Sequence, residues 1–271
     1  MGSWAKSLFG REKFEKTGIV VAGTNNPGFE RKVLKLFDEL ISSKDAVYHG
    51  HLVRKVRKFY PVVFNVYGAP AMVDVLTEMH DGGCRNLIFV GYAYGGFHNL
   101  PIGGIVIPDK SYHFDGIYHP LDPKRKIAFP DSKLNESLKN LFTGEKITFH
   151  TGPNISVPAV TFQMPHANGA YRRINPVTLE METAACFSRA KDIGVRAAAI
   201  LVISDNRHTG IDEAEKKDKE KQKLLVLETI VDNIATFKFA DLRAKRFTIN
   251  DYLASVIRDP KNRTNAYRKR K

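Results

Sequence analysis

"GIVVAGTNNPGFERKVLKLFDELI", Gly18 to Ile41, decides the fold. It opens with a short β-branched run, "GIVVAG", which "TNNPG" interrupts with a strong loop signal. From Phe29 to Ile41 the apolar residues fall at helical spacing, so the stretch predicts a strand, a loop and a helix.

The same alternation continues outward. "YPVVFNVYG" (Tyr60 to Gly68) reads as a strand, and "APAMVDVLTEMHDGG" as a helix stopped by its glycine pair. "RNLIFVGYAYGG" is a buried strand running into a glycine-rich turn, "LPIGGIVIPDKSYHFDG" holds short strands, and "SKLNESLKNLF" is helical. "EKITFHTGP" and "AVTFQMP" read as strands, "TLEMETAACFSRA" (Thr178 to Ala190) as a helix start, and "VRAAAILVISD" as another buried strand. "EKQKLLVLETIVDNIATF" closes the pattern as a long amphipathic helix. Strands rich in Val and Ile that alternate with helices predict one α/β domain of three layers, α/β/α, around a central mixed, largely parallel, twisted sheet. The expected organisation is a basic leader over 1–17, the α/β domain over 18–258 and a basic tail over 259–271.

Composition narrows the function classes. The longest apolar runs, such as "AAAILVI", fall far short of the ~20 residues of a membrane span, so a soluble, cytoplasmic protein with no membrane partner is expected. Two distant cysteines, Cys84 and Cys186, suit reduced core thiols, and the nine histidines form no HExxH spacing, so neither a disulfide scaffold nor a metal site is expected. The net charge of +13 suggests an anionic partner. It gathers in "VRKVRK" (Val53 to Lys58), which could line a phosphate pocket, in "KKDKEKQK" (Lys216 to Lys223), which reads as a solvated helix face, and in the tail, the one segment suited to nucleic acid.

In open α/β sheets ligands sit at the carboxyl ends of strands. Gly23 to Gly28, Gly91 to Gly96, Glu180 to Glu182 and Asp205 to Arg207 all fall on that edge. Two carboxylates at the mouth of an alanine-rich helix are unfavourable to bury without partners. They either face water beside a helix dipole or are held for a ligand.

Four of these segments, in this order, resemble the nucleoside phosphorylases and nucleosidases: "VAGTNNPG", "FVGYAYGG", "LEMETAA" and "VISD". The resemblance covers about Gly18 to Phe237 and implies cleavage of a nucleoside's N-glycosidic bond. Positive charge then develops on the ribose while electrons enter the departing base. On this resemblance Glu182 would accept hydrogen bonds from the ribose hydroxyls, Met181 would pack on the sugar, and Glu180 would lie near sugar or base. Asp205 would be the general acid at the purine N7, Phe162 in "TFQMP" would stack on the base, and Arg207 is similar to the arginine of the uridine enzymes.

For phosphate, Gly23 is present and Arg31 would replace the first family arginine. Phe89 stands where the second belongs, Tyr92 replaces a small hydroxyl residue, and Arg54 or Arg57 would supply charge from a neighbouring subunit. The expected function is a purine-leaning nucleoside phosphorylase, with inorganic phosphate as co-substrate and no cofactor, acting as a dimer-based homo-oligomer of up to six subunits. The alternatives are a nucleosidase that uses water and a catalytically degenerate relative that binds nucleosides or nucleic acid.

Overall fold

The structure is a computed structural model that describes residues 4–23, 26–45, 47–98, 100–118, 124–163, 171–206 and 213–242. The basic tail, Arg207, and the end of the expected domain lie outside the described residues.

The strand, loop and helix of the opening stretch are β1 (Thr17–Ala22), the turn through Gly23, and α2 (Pro27–Leu34). Asn26 caps α2 by accepting from the N–H groups of Gly28 and Phe29, and Pro27 occupies the first turn, where its missing donor costs nothing. The helix is shorter than its apolar spacing suggests. Glu39 to Asp45 instead form β2, which pairs with β3 (His49–Lys55), and β3 turns back into β4 (Lys58–Val66). "VRKVRK" is therefore the end of β3 with a tight turn in which Val56 and Arg57 both take positive φ.

After α3 (Gly68–Asp81) and β5 (Asn86–Gly95) come β6 (Ile105–His113), β7 (Ile127–Ala128) and α4 (Ser132–Gly144). The chain continues through β8 (His150–Ser156), β9 (Thr178–Glu180), α5 (Thr183–Ile193), β10 (Arg196–Asn206) and α6 (Glu213–Asp232). Two expectations are corrected here. "AVTFQMP" holds no strand among its described residues, since Val160 to Gln163 form a 3-10 turn, and "TLE" is a strand rather than the first turn of a helix. Their neighbours explain both: β9 is short but stitched between β5 and β8, whereas Val160 and Phe162 are exposed.

The sheet is mixed. β4, β1, β5 and β10 run parallel at its centre, while β2 and β3 flank them antiparallel. β6 and β8 are parallel to each other, and β6 is antiparallel to β10. Alternate residues of each central strand feed opposite faces. Val20, Leu87, Phe89 and Leu201 pack with α3, α5 and a short α1 (Trp4–Phe9), whereas Ile19, Ile88, Val90 and Ile200 pack with α2, α4 and α6. This is the three-layer α/β/α arrangement that the sequence predicts. Ala5, Leu8 and Phe9 of the basic leader are buried in the first of these clusters. No helix among the described residues is long and apolar enough to cross a membrane.

Candidate active site

The carboxyl ends of the parallel strands β1, β4, β5 and β10 share one edge of the sheet, and β9, antiparallel to β5, starts beside the end of β5. Ala22 pairs with Val66 there, Tyr94 faces Leu179 on one side, and Asp205 is opposite it on the other. The two glutamates end up with different partners. Glu180, 2% exposed, accepts from Asn154 Nδ2 (2.7 Å) and Ser156 Oγ (2.5 Å) through one oxygen, and from the N–H groups of Glu182 and Thr183 (both 2.7 Å) through the other. Ser156 Oγ also accepts from the N–H of Ala184 at 2.8 Å. The donors that a helix start leaves without partners are thus met from β8 and β9.

Glu182 occupies the cap position of α5 but makes no side-chain cap bond to the helix. Its carboxylate accepts the N–H of Gly68 at 2.6 Å and of Met181 at 3.2 Å. Gly68 has φ +79°, a backbone state that side chains resist, and so the chain can turn that N–H into the site between β4 and α3. Burial, followed by the neighbouring charge of Glu180, pushes the Glu182 carboxyl up to about 8. Met181 is half-buried against the cluster of Tyr94, Ile155 and Leu179.

The anion end differs from the expectation. Gly23 has φ +70°, and a Cβ placed on it would stand 3.4 Å from the Tyr92 ring, so the tyrosine packs directly against the loop glycine. On that ring, 3.9 Å from its centroid, lies the ammonium of Lys223, which donates to the Ala22 carbonyl at 2.5 Å. Lys223 is fully buried, although its segment reads as a solvated helix face. The Tyr92 hydroxyl is buried with no hydrogen-bond partner among the described residues.

The predicted arginines lie elsewhere. Arg31 is exposed on α2. Arg54 pairs with Glu39 and is in register with Phe59, seven residues along β4 from Val66, or roughly 23 Å of extended strand from the Gly23 edge. Within one chain Arg54 does not reach Gly23, and an arginine from "VRKVRK" could serve the site only from a second copy. Phe89 is wholly buried in the core.

Burial lowers the Lys223 ammonium to about 7, and the charges of Glu182 and Glu220 partly oppose this. The unfolded chain holds that proton up to about pH 10.4, so between about pH 7 and pH 10 it binds more protons than the folded protein does. Folding stability is therefore expected to rise with pH across this window. Thermal denaturation of Lys223→Met should lack that rise, and parallel pH profiles for the two proteins would refute the assignment.

At the other end, Asp205 is half-buried on β10, and Ser204 Oγ donates to its carboxylate. Asn206 Nδ2 donates to the Leu100 carbonyl at 2.8 Å and Lys219 Nζ to the Ser204 carbonyl at 3.2 Å, which fixes the backbone on both sides of the acid. Phe162 is 50% exposed on its turn. The structure thus gathers Gly23, Tyr92, Met181, Glu182 and Asp205 on one edge, leaves Arg31 and Arg54 outside it, and adds Gly68, Asn154, Ser156 and Lys223.

A second hydrogen-bonded chain ties α5 to β6: Asp115 to His113 Nδ1 (3.0 Å), and His113 Nε2 to Ser188 Oγ (2.7 Å). Its connectivity matches a Ser-His-Asp triad. Ser188 is 3% exposed and faces the core from mid-helix, so no acyl substrate reaches its oxygen, and the chain acts as a tie between the two elements.

Comparison with known proteins bears on this geometry. The family model of the phosphorylase superfamily matches residues 47–235. Purine nucleoside phosphorylases of the DeoD type from two Clostridium perfringens strains are 25% identical over 174 residues, covering 62% of this chain and 72% of theirs. Among solved structures, the 5′-methylthioadenosine/S-adenosyl homocysteine nucleosidase of Campylobacter jejuni superposes with a TM-score of 0.70 at 12% identity, covering 82% of this chain and 100% of that one.

Proposed function

The chain belongs to the phosphorylase superfamily, and from that premise we propose that it is a nucleosidase, which hydrolyses the N-glycosidic bond of a purine ribonucleoside to free base and ribose. Membership makes it an enzyme of the nucleoside phosphorylase and nucleosidase kind. The choice of water over phosphate rests on one observation: the Tyr92 ring and the Lys223 ammonium fill the space beside Gly23. An incoming phosphate needs exposed N–H donors and cations there. Lys223 is already bound to a backbone carbonyl and has no exposed surface. An oxocarbenium-like transition state draws its stabilisation mainly from the sugar and the leaving group, so a weak nucleophile suffices.

In this reading Glu182 receives the ribose hydroxyls, Met181 lies on the sugar, Phe162 covers the base and Asp205 delivers a proton to the purine. An aspartate at the end of β10 and the likeness to purine-cleaving relatives support a purine. Phosphorolysis, the first expectation from sequence, draws on Lys223 as a nearby cation, which would have to be uncovered by a swing of Tyr92.

The two chemistries separate in one assay. Adenosine, inosine, guanosine and 5′-methylthioadenosine are each incubated with the purified protein, with and without inorganic phosphate. Base release at equal rates in both conditions, with the free sugar as product (ribose, or 5-methylthioribose from 5′-methylthioadenosine), is the expected result. Ribose 1-phosphate formed only with phosphate would replace hydrolysis by phosphorolysis, and no base release from the whole panel would remove both.

A further inference from the structure

We infer that Glu180 is a positioning residue: its carboxylate is consumed by the first turn of α5 and by β8, and through that turn it aims Glu182 at the sugar. The inference rests on the proposed reading only for what Glu182 meets.

A carboxylate offers about four lone-pair sites, and four hydrogen bonds of 2.5–2.7 Å fill those of Glu180. No acceptor site is left for a ribose hydroxyl. Its partners are themselves held: Asn154 accepts from Thr178 Oγ1 at 2.8 Å and donates to Ser111 Oγ at 2.7 Å. A buried network satisfied in this way has one arrangement, because any shift leaves a polar group without a partner.

The consequence falls on Glu182. Glu182 is the cap residue of α5, the position from which a side chain ordinarily bonds the open N–H groups of a helix, whose positive end attracts a carboxylate. Glu180 and Ser156 already hold the N–H groups of Thr183 and Ala184, so those two donors are taken. Glu182 is released to bridge across to Gly68, on the other side of the cleft. Without Glu180, the first turn would recruit Glu182 and draw it off the sugar.

Glu180→Gln tests this, because the amide keeps the size but points a donor at groups that already donate. Turnover of the best ribonucleoside is expected to fall about 10–100-fold. In a Glu182→Gln background the same change should cost less than about threefold, since the residue acts through Glu182. The Gly68 amide, which Glu182 accepts, should exchange with solvent deuterium at least about tenfold faster in Glu180→Gln. Ser156→Ala, which removes one bond to Glu180 and one to α5, should move all three readings the same way by less, and it carries the test if the glutamine variant does not fold. Losses that multiply in the double variant, or an unchanged Gly68 amide, would overturn the inference. If the unaltered protein cleaves no nucleoside, the functional reading fails, while the exchange rates still decide the role of Glu180.

Discussion

Glu182→Gln is expected to lower kcat/KM for a ribonucleoside by about 10²–10³, because two hydrogen bonds from sugar hydroxyls to one carboxylate are together worth about 3–4 kcal/mol. Glutamine retains an acceptor for the N–H of Gly68, the shortest bond that Glu182 makes, so the fold and melting temperature should hold. The loss should be much smaller on the matching 2′-deoxynucleoside, which lacks one of the hydroxyls. It should also depend on pH. Accepting from two hydroxyls at once favours the ionised form, and burial raises this carboxyl to about 8. In the unaltered enzyme kcat/KM, which reports groups of the free protein, should therefore rise as pH passes through about 8. Glu182→Gln should lose that inflection. Equal losses on ribose and deoxyribose substrates would remove the sugar from the role of Glu182.

The same residue shows how far sequence reading went. "GIVVAG" and "AAAILVI" announced central strands because strands buried on both faces are apolar without interruption, and Ile19/Val20 and Ile200/Leu201 do feed opposite layers. β2 was hidden because its residues are half-buried or exposed at the sheet edge and continue the helical spacing of the preceding segment. "LEMETAA" marked the pair of glutamates, yet nothing in its spacing separates the one bound to the helix backbone from the one that reaches across to Gly68. That division depends on Asn154 and Ser156, more than twenty residues away. Lys223 was legible in principle, since it stands three and four residues before the buried Val226 and Leu227 and so falls on the apolar stripe of α6. Its place in a charged run concealed it. Tyr92 read as a lost hydroxyl residue; only the packing of its ring on Gly23 shows that the space changed along with the functional group.

Asp205→Asn is expected to cut release of adenine or hypoxanthine by about 10²–10⁴, the usual contribution of a positioned proton donor. The reason lies in the leaving group. A purine expelled as an anion is a poor leaving group, and a proton delivered at N7 removes that charge as the bond to C1′ lengthens. Asparagine can still donate a hydrogen bond but cannot give up a proton, and being of the same size it leaves the Ser204 and Asn206 contacts of β10 in place. The decisive comparison is a ribofuranoside of p-nitrophenol, whose anion leaves without protonation. Asp205→Asn should cleave it within about threefold of the unaltered enzyme, whereas Glu182→Gln should impair it as severely as the purine substrates. This pairing divides the site by chemistry, with one carboxyl answering to the sugar and the other to the base. A loss for Asp205→Asn as large on the nitrophenyl substrate as on the purine would mean that Asp205 shapes the pocket without transferring a proton, and the acid would then have to be sought elsewhere on the edge that Asp205 shares with Tyr94.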